Sequence, residues 1–434
     1  MAEKIQFISD KTAVATVREG HPRGLYVLFF TEAWERYSFY SMMSILVLYM
    51  DESLGFSQGA IGQIYGGYIA AVYFMPLIGG WIADRRLGYN RSVIYGGILI
   101  ALGHFLLALE TLPTFYSALA LLATGTGLLK PNISTLVGNL YRDRPELKDA
   151  AYNIFYMGIN IGGLLGPLCV SWFRANYGWP VALGSAGVAM LVALGIYIGF
   201  NREIAPADNK PGSRERVIEP HPPDARERIV ALLVTFAIVT VFWLAFYQNG
   251  LALTLWARDN TVTTWPPEIF YAANGLFVIL FTPPLVWVWR RLRERHREPS
   301  TPAKLVIGMV LTAGTYGLMM MAGLAGGDTG KVSPAWLLSA YALLSLGEIC
   351  VSPMGLSLVA KVAPPRVRGL MMGVWFLTLS AGGYLAGYMG GYWQALPHSQ
   401  FFLFVMMACI GAVLILSVAL RFLRPTFNRA LATG

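Results

Sequence analysis

Thr31-Glu32-Ala33-Trp34-Glu35-Arg36-Tyr37-Ser38-Phe39-Tyr40 lies inside a long apolar run, Leu25 to Met50. Three ionisable side chains stand where a membrane-crossing helix ordinarily carries none. Glu32, Glu35 and Arg36 are spaced i, i+3, i+4, so they share one helical face, and Phe39 and Tyr40 extend that face by another turn. At a rise of about 1.5 Å per residue, Glu32 sits roughly 10 Å inside the first membrane residues. Charges at that depth are costly and face a bundle interior or a wet cavity, where they serve function. The rest of the chain is expected to supply that cavity.

It has the composition to do so. The chain has 434 residues, 56% hydrophobic and 13% charged, against about 25% charged in a soluble domain. A net charge of +9 would suit nucleic acid only if the basic residues clustered on a soluble face. They sit instead in short loops between apolar runs, which excludes a nucleic-acid partner and marks the lipid bilayer as the surroundings. Cys169, Cys350 and Cys409 all fall within apolar runs, so neither a disulfide framework nor a metal site is implied. Residues 1–23 contain no apolar core, so no cleavable leader is expected.

Twelve runs are long enough to cross a bilayer, at about 20 residues each: 25–50, 57–83, 92–110, 114–138, 150–173, 180–200, 228–256, 268–289, 304–325, 334–360, 367–394 and 400–422. Of the 33 Lys and Arg, only Arg174, Arg258 and Lys331 fall in one set of loops, and Arg36 and Lys130 lie within runs. The remainder are in the other set, with the termini, so the positive-inside rule places both termini in the cytoplasm. An even number of crossings agrees. Residues 201–227, with Ala-Pro, Lys-Pro, Glu-Pro and His-Pro-Pro amid charges, break the hydropathy.

This divides the chain into a cytoplasmic segment 1–23, a six-helix bundle 24–200, a linker 201–227, a second six-helix bundle 228–424 and a tail 425–434. The fold class expected is an all-α membrane protein of major facilitator architecture, with twelve transmembrane helices in two bundles around a central site. Gly80-Trp81-Ile82-Ala83-Asp84-Arg85-Arg86 resembles the loop motif of that superfamily. Gly158, Gly162 and Gly166, and again Gly383, Gly387 and Gly391, repeat at four-residue spacing and read as close helix contacts.

The charges within runs are Glu32, Glu35, Arg36, Lys130 and Glu348. Three acids against two bases leave one surplus negative charge, which one bound proton neutralises. A structural polar network is the plainer alternative, but such networks rarely carry unbalanced charge. Pro131, just after Lys130, predicts a kink or an end of that helix. The glycines before Lys130 do not make a phosphate loop, because no strand precedes them and the spacing is wrong. His104 is the only histidine within a run; a hydrogen-bonded structural role is expected over a proton relay. Glu110 and Glu268 fall near run ends, where water should reach them.

The same residues carry a family resemblance. Glu-x-x-Glu-Arg-Tyr-Ser-Phe-Tyr (32–40), Gly-Leu-Leu-Lys-Pro-Asn-Ile-Ser-Thr-Leu-Val-Gly (127–138) and Phe-Tyr-Met-Gly-Ile-Asn-Ile-Gly-Gly-Leu-Leu-Gly-Pro (155–167) resemble motifs of the proton-dependent oligopeptide transporters. So do Phe242-Trp243, Asn274 and Gly347-Glu348-Ile349-Cys350-Val351-Ser352-Pro353. The resemblance implies a proton-coupled symporter that imports di- and tripeptides by alternating access. The proton is the coupling ion, and neither a cofactor nor a bound metal is needed.

It also implies roles. Glu32 or Glu35 takes the proton, with Lys130 as the coupled partner. Arg36 and Lys130 hold the peptide carboxylate, and Glu348 with Asn160 and Asn274 holds its amino group. Tyr40, Tyr73, Trp243, Trp375 and Phe376 line side-chain pockets. Physical reasoning agrees that a zwitterion needs cations at one end and an anion at the other.

The chain departs from the family in three ways. Phe39 replaces a first tyrosine, and the linker is too short for two additional crossings of about 20 residues. Met43 and Tyr247 stand where the family carries an arginine and an acid that bridge the halves. With both charges gone, the outer gate is expected to close by packing or hydrogen bonding.

The expectation is a monomeric, multi-pass inner-membrane symporter and not an enzyme. A major facilitator carrier of another small zwitterion, an anion or a drug is the alternative. Zincin helices and nucleophile elbows are absent from the sequence, which speaks against a membrane enzyme.

Overall fold

The computed structural model describes residues 20–144, 147–208 and 222–432. Its helices are α1 (Arg23–Leu48), α2 (Gln58–Ile82), α3 (Tyr89–Leu107), α4 (Leu112–Asn139), α5 (Lys148–Gly199), α6 (Asn201–Ile204), α7 (Ala225–Phe246), α8 (Ala252–Asp259), α9 (Glu268–Glu294), α10 (Thr301–Gly326), α11 (Pro334–Val362), α12 (Arg368–Gly390) and α13 (His398–Ala432). Among the described residues ten helices are long and apolar enough to cross a membrane. Two further crossings follow from geometry. At about 1.5 Å per residue, the 52-residue α5 is far longer than a bilayer needs, and it turns back at Gly178, whose φ is 79°. The positive φ needs glycine there. Helix α1, 26 residues long, is the other: its Glu32, Glu35 and Arg36 are all buried within the bundle.

The protein is therefore an all-α, multi-pass membrane protein of two six-helix bundles. The sequence runs match these elements with one substantive exception. The run 228–256 is interrupted: α7 ends at Phe246, a 3-10 turn covers Tyr247–Gly250, and α8 follows. Three tyrosine hydroxyls accept the disruption. Tyr316, Tyr65 and Tyr341 donate to the carbonyls of Ala245, Tyr247 and Asn249, so the break leaves these buried carbonyls satisfied.

Pro131 does not end its helix. Helix α4 continues to Asn139, and the Asn132, Ser134 and Thr135 side chains donate to carbonyls one turn back around the proline. Of the linker, 209–221 lie outside the described residues, as do 1–19. Its first residues dock on the N-terminal bundle: Asn90 and Asn201 exchange amide bonds of 3.1 and 2.8 Å. Asp208 accepts from the Tyr89 and Asn90 N–H groups at 3.0 and 3.3 Å, capping the start of α3. Helix α13 runs on through residues 425–432.

Both glycine stripes are packing seams. A Cβ on Gly162 would sit 2.4 Å from the Ala33 carbonyl oxygen of α1, and one on Gly387 would sit 2.2 Å from the Gly62 carbonyl oxygen of α2. The second seam joins the two bundles, in the half of α2 remote from the chain termini.

At that remote rim two expectations are corrected. Glu268 is fully buried, and both its oxygens accept from Arg174, at 2.8 and 3.0 Å; water does not reach it. Ion pairs, as well as packing, join the bundles there: Arg174 and Glu268 come from opposite halves, as do Arg258 and Asp51, 2.5 Å apart. Glu110 is exposed as expected and accepts from Ser53 at 2.9 Å. His104 is 1% exposed, yet neither ring nitrogen has a hydrogen-bond partner among the described residues. The expected hydrogen-bonded role is therefore not what the fold builds: the ring is sealed within the bundle as an apolar filler.

Candidate functional site

Each member of the α1 triplet is buried: Glu32 is 2% exposed, Glu35 1% and Arg36 2%. Arg36 answers both acids. Its Nε and Nη2 donate to the two carboxylate oxygens of Glu35, and Nε lies 3.4 Å from Glu32 Oε1. Its guanidinium carbon also lies 4.9 Å from the centre of the Phe39 ring, a cation–π contact that strengthens when desolvated. A bidentate arginine–carboxylate pair is the geometry that makes burying such charges tolerable. One carboxylate of the three-charge group remains in excess, and Glu32 Oε2 is left without a partner among the described residues.

Lys130 stands apart from this group. Its Nζ lies 4.7 Å from the centre of the Tyr73 ring, and it is in electrostatic reach of Glu32. The sequence expectation paired it with the coupling carboxylates. The structure gives those to Arg36 and leaves the lysine ammonium on an aromatic face. The reason is local: Arg36 shares the helix with both acids, whereas Lys130 must reach them from α4.

The second half builds the opposite pole. Asn274 of α9 donates to Glu348 Oε2 at 2.9 Å and to Ser345 Oγ at 3.0 Å. Ser345 in turn donates to the Asn274 carbonyl at 3.3 Å. Ser345 and Glu348 are three residues apart on α11 and therefore on one face. Asn160 is not in this cluster; its amide donates to the Tyr156 carbonyl on its own helix at 3.0 Å.

Aromatic rings fill the space between the poles. Tyr40 lies 6.4 Å from Tyr271, and Tyr73 lies 5.9 Å from Tyr247, each pair spanning the two bundles. Tyr40 is in electrostatic reach of both Arg36 and Glu348, so one hydroxyl senses both poles. Trp243 stacks on Tyr247 with centroids 6.0 Å apart. The Trp243 Nε1 and Tyr68 hydroxyl are buried with no partner among the described residues, which marks polar atoms held ready for something else.

Trp375 stands against Trp243, 6.3 Å away. It is 2% exposed, with its ring pressed on Gly355. Phe376 is half-buried against the core.

Sequence reading missed Ser345, Tyr271 and Tyr68. Only Ser345 carried a signal, as a hydroxyl one turn before Glu348. The tyrosines are common in interfacial belts, so nothing in the sequence separates these from the rest.

The two bundles place both membrane-embedded cations, Arg36 and Lys130, on one side and the lone acid Glu348 on the other, with tyrosines between them, an arrangement that can hold a small molecule with both a carboxylate and an ammonium group. Comparison with known proteins gives the same direction. A profile described as Major Facilitator Superfamily matches residues 28–387. The chain is 33% identical to a protein named peptide transporter YePEPT of Yersinia enterocolitica, over 87% of this chain and 89% of that one. It is 32% identical to a di-/tripeptide transporter of Lactococcus lactis, over 88% and 92%. Among solved structures, it resembles a POT family transporter in complex with 5-aminolevulinic acid, with TM-score 0.87, 26% identity and coverage of 94% and 98%. A peptide transporter POT in complex with sulfate gives TM-score 0.86, 28% identity and coverage of 95% and 96%.

Proposed function

This chain belongs to the proton-dependent oligopeptide transporter family of the major facilitator superfamily, and on that premise we propose that it imports di- and tripeptides together with protons by alternating access. The observation that carries this reading is the separation of charge between the halves. Arg36 and Lys130 supply cations on the N-terminal side, and Glu348, fixed by Asn274 and Ser345, supplies the anion on the C-terminal side. A peptide zwitterion bridging them gives Lys130 and Glu348 a counter-charge each and leaves the surplus acid of the α1 triplet for the proton. That is worth far more in a desolvated site than in water.

The proton enters through the same charge balance. With Arg36 shared between two acids, protonating Glu32 or Glu35 removes the surplus charge and loosens the guanidinium. Arg36 and Lys130 are then available to a carboxylate. The loop charges support a reading with both termini on the cytoplasmic side of an inner membrane and the remote rim outside. The protein acts as a monomer, and the five segments divided at 23, 200, 227 and 424 are its organisation.

The test is uptake of labelled dialanine into proteoliposomes, with and without an imposed pH gradient. Accumulation only when the outside is acidified supports the proposal; gradient-independent equilibration removes the coupling, and no uptake removes the substrate. A second reading has one observation behind it. The related structure that holds 5-aminolevulinic acid shows a small zwitterion without a peptide bond in this fold. Competition by that compound against dialanine separates the two.

A further inference from the structure

At the remote rim six charged residues, three from each bundle, form one connected cluster of ion pairs. Asp51 and Glu52 lie in the π turn that ends α1, and Arg174 lies in α5. Arg258 and Asp259 end α8, and Glu268 begins α9. Each arginine has a partner in the other bundle: Arg174 with Glu268 at 2.8 Å, Arg258 with Asp51 at 2.5 Å and with Glu52 at 3.5 Å. Each also has one in its own bundle, Arg174 with Glu52 at 3.0 Å and Arg258 with Asp259 at 2.8 Å.

We propose that these residues form an exchange latch, the closing element of the outer gate in place of the charge pair missing at Met43 and Tyr247. The design solves a specific energetic problem. A gate held by one ion pair strands a charge when it opens, and removing one partner of a partly buried pair is expensive. Here the cross-bundle contacts break while Arg174 keeps Glu52 and Arg258 keeps Asp259. Neither cation is stranded; of the acids they leave, Asp51 keeps Gln58 at 3.0 Å, and Glu268, buried while the rim is closed, becomes wetted as it opens. Helix α8, which carries Arg258, is joined to α7 by the 3-10 turn Tyr247–Gly250, the point at which its angle to α7 changes when the rim opens. Beneath the latch, the Gly62–Gly387 seam of α2 and α12 closes the same rim.

The latch rests on the alternating-access reading of the preceding subsection, but not on the substrate. It predicts opposite effects for two neutralisations next to the same arginine. Asp51→Asn removes a cross-bundle partner and favours the open rim. Asp259→Asn removes the same-bundle partner and favours the closed rim. Both sites are partly exposed, with side-chain exposures of 24% and 41%, so folding should survive.

The experiment is electron–electron resonance on the purified protein in nanodiscs without substrate. Spin labels go on Leu112→Cys and Thr264→Cys, which are exposed on opposite bundles, after the three native cysteines are replaced. For pairs of this exposure, Asp51→Asn should raise the long-distance fraction about two- to fivefold. Adding Asp259→Asn to that variant should bring the fraction back down. An unchanged fraction in Asp51→Asn, or a further rise on adding Asp259→Asn, overturns the latch. Because no substrate is present, failure here leaves peptide transport standing, and failure of peptide uptake leaves the latch standing.

Discussion

Asn274 of α9 and Glu348 of α11 meet at 2.9 Å, with the amide N–H donating to the carboxylate. The bond fixes the acid's orientation from a helix 74 residues away in sequence, while Glu348 keeps one oxygen for another donor. We expect that oxygen to select a free amino terminus. Acetylating a dipeptide should weaken its competition for uptake by about tenfold to a hundredfold, the range for a hydrogen bond to a charged group. Glu348→Gln should narrow that gap. Equal competition by blocked and free dipeptides would remove the assignment.

What the sequence disclosed and what it hid have separate causes. Crossings and their number follow from apolar length, because each must hide its backbone from lipid within its own helix. The buried triplet was legible for the same reason, since charges inside such a run are conspicuous. The break at Tyr247 was hidden because its carbonyls are satisfied by Tyr65, Tyr316 and Tyr341 from other helices. Glu268 looked water-accessible because its partner Arg174 lies 94 residues away. Lys130 was expected beside the coupling carboxylates and reaches Glu32 only electrostatically, because Arg36 on the same helix makes the direct contacts; charge arithmetic counts groups but does not say which base stands nearer.

The α2–α12 seam makes a packing prediction. A methyl at Gly387 would meet the Gly62 carbonyl oxygen at 2.2 Å and Gly66 Cα at 2.5 Å. Backbone atoms cannot yield as a flexible side chain can. Gly387→Ala should cost about 1–3 kcal/mol, the usual range for overpacking, and lower the melting temperature in detergent. An unchanged melting temperature would mean that the helices part easily along this seam.

On the termini side, Glu298 accepts from Arg293 at 2.5 and 3.0 Å and from Lys304 at 2.6 Å. These bonds, Arg293 first, outweigh partial burial and hold the carboxyl down at about 2, from an ordinary 4.5. A depressed carboxyl stabilises the fold above its unfolded value, and that contribution disappears as pH falls through the folded value. Arg293 is 72% exposed, so solvent screening keeps the effect small, about 1 kcal/mol or less. The melting-temperature gap between wild type and Glu298→Gln should be constant above about pH 5 and shrink toward pH 3. A gap that does not vary with pH would show that the acid's charge contributes nothing.

The coupling carboxylates give the sharpest test. Arg36 donates to both oxygens of Glu35 and reaches Glu32 at 3.4 Å, so a proton on Glu35 takes away the stronger of its two partners. A glutamine at position 35 is a permanent stand-in for the protonated acid. Glu35→Gln should therefore bind peptide and exchange it between equal pools on the two sides of a vesicle. It should not accumulate peptide when the outside is acidified, because no proton is carried. Lys130→Ala acts differently: with its Nζ on the Tyr73 face and no direct bond to the acids that Arg36 holds, it should weaken peptide binding while leaving Glu35 paired with Arg36. Counterflow and pH-driven uptake, measured in the same vesicles, read the two properties separately. If Glu35→Gln and Glu32→Gln both still concentrate peptide, the proton is carried elsewhere. Glu348, the remaining acid among the charges within the membrane runs, would then be the next residue to neutralise.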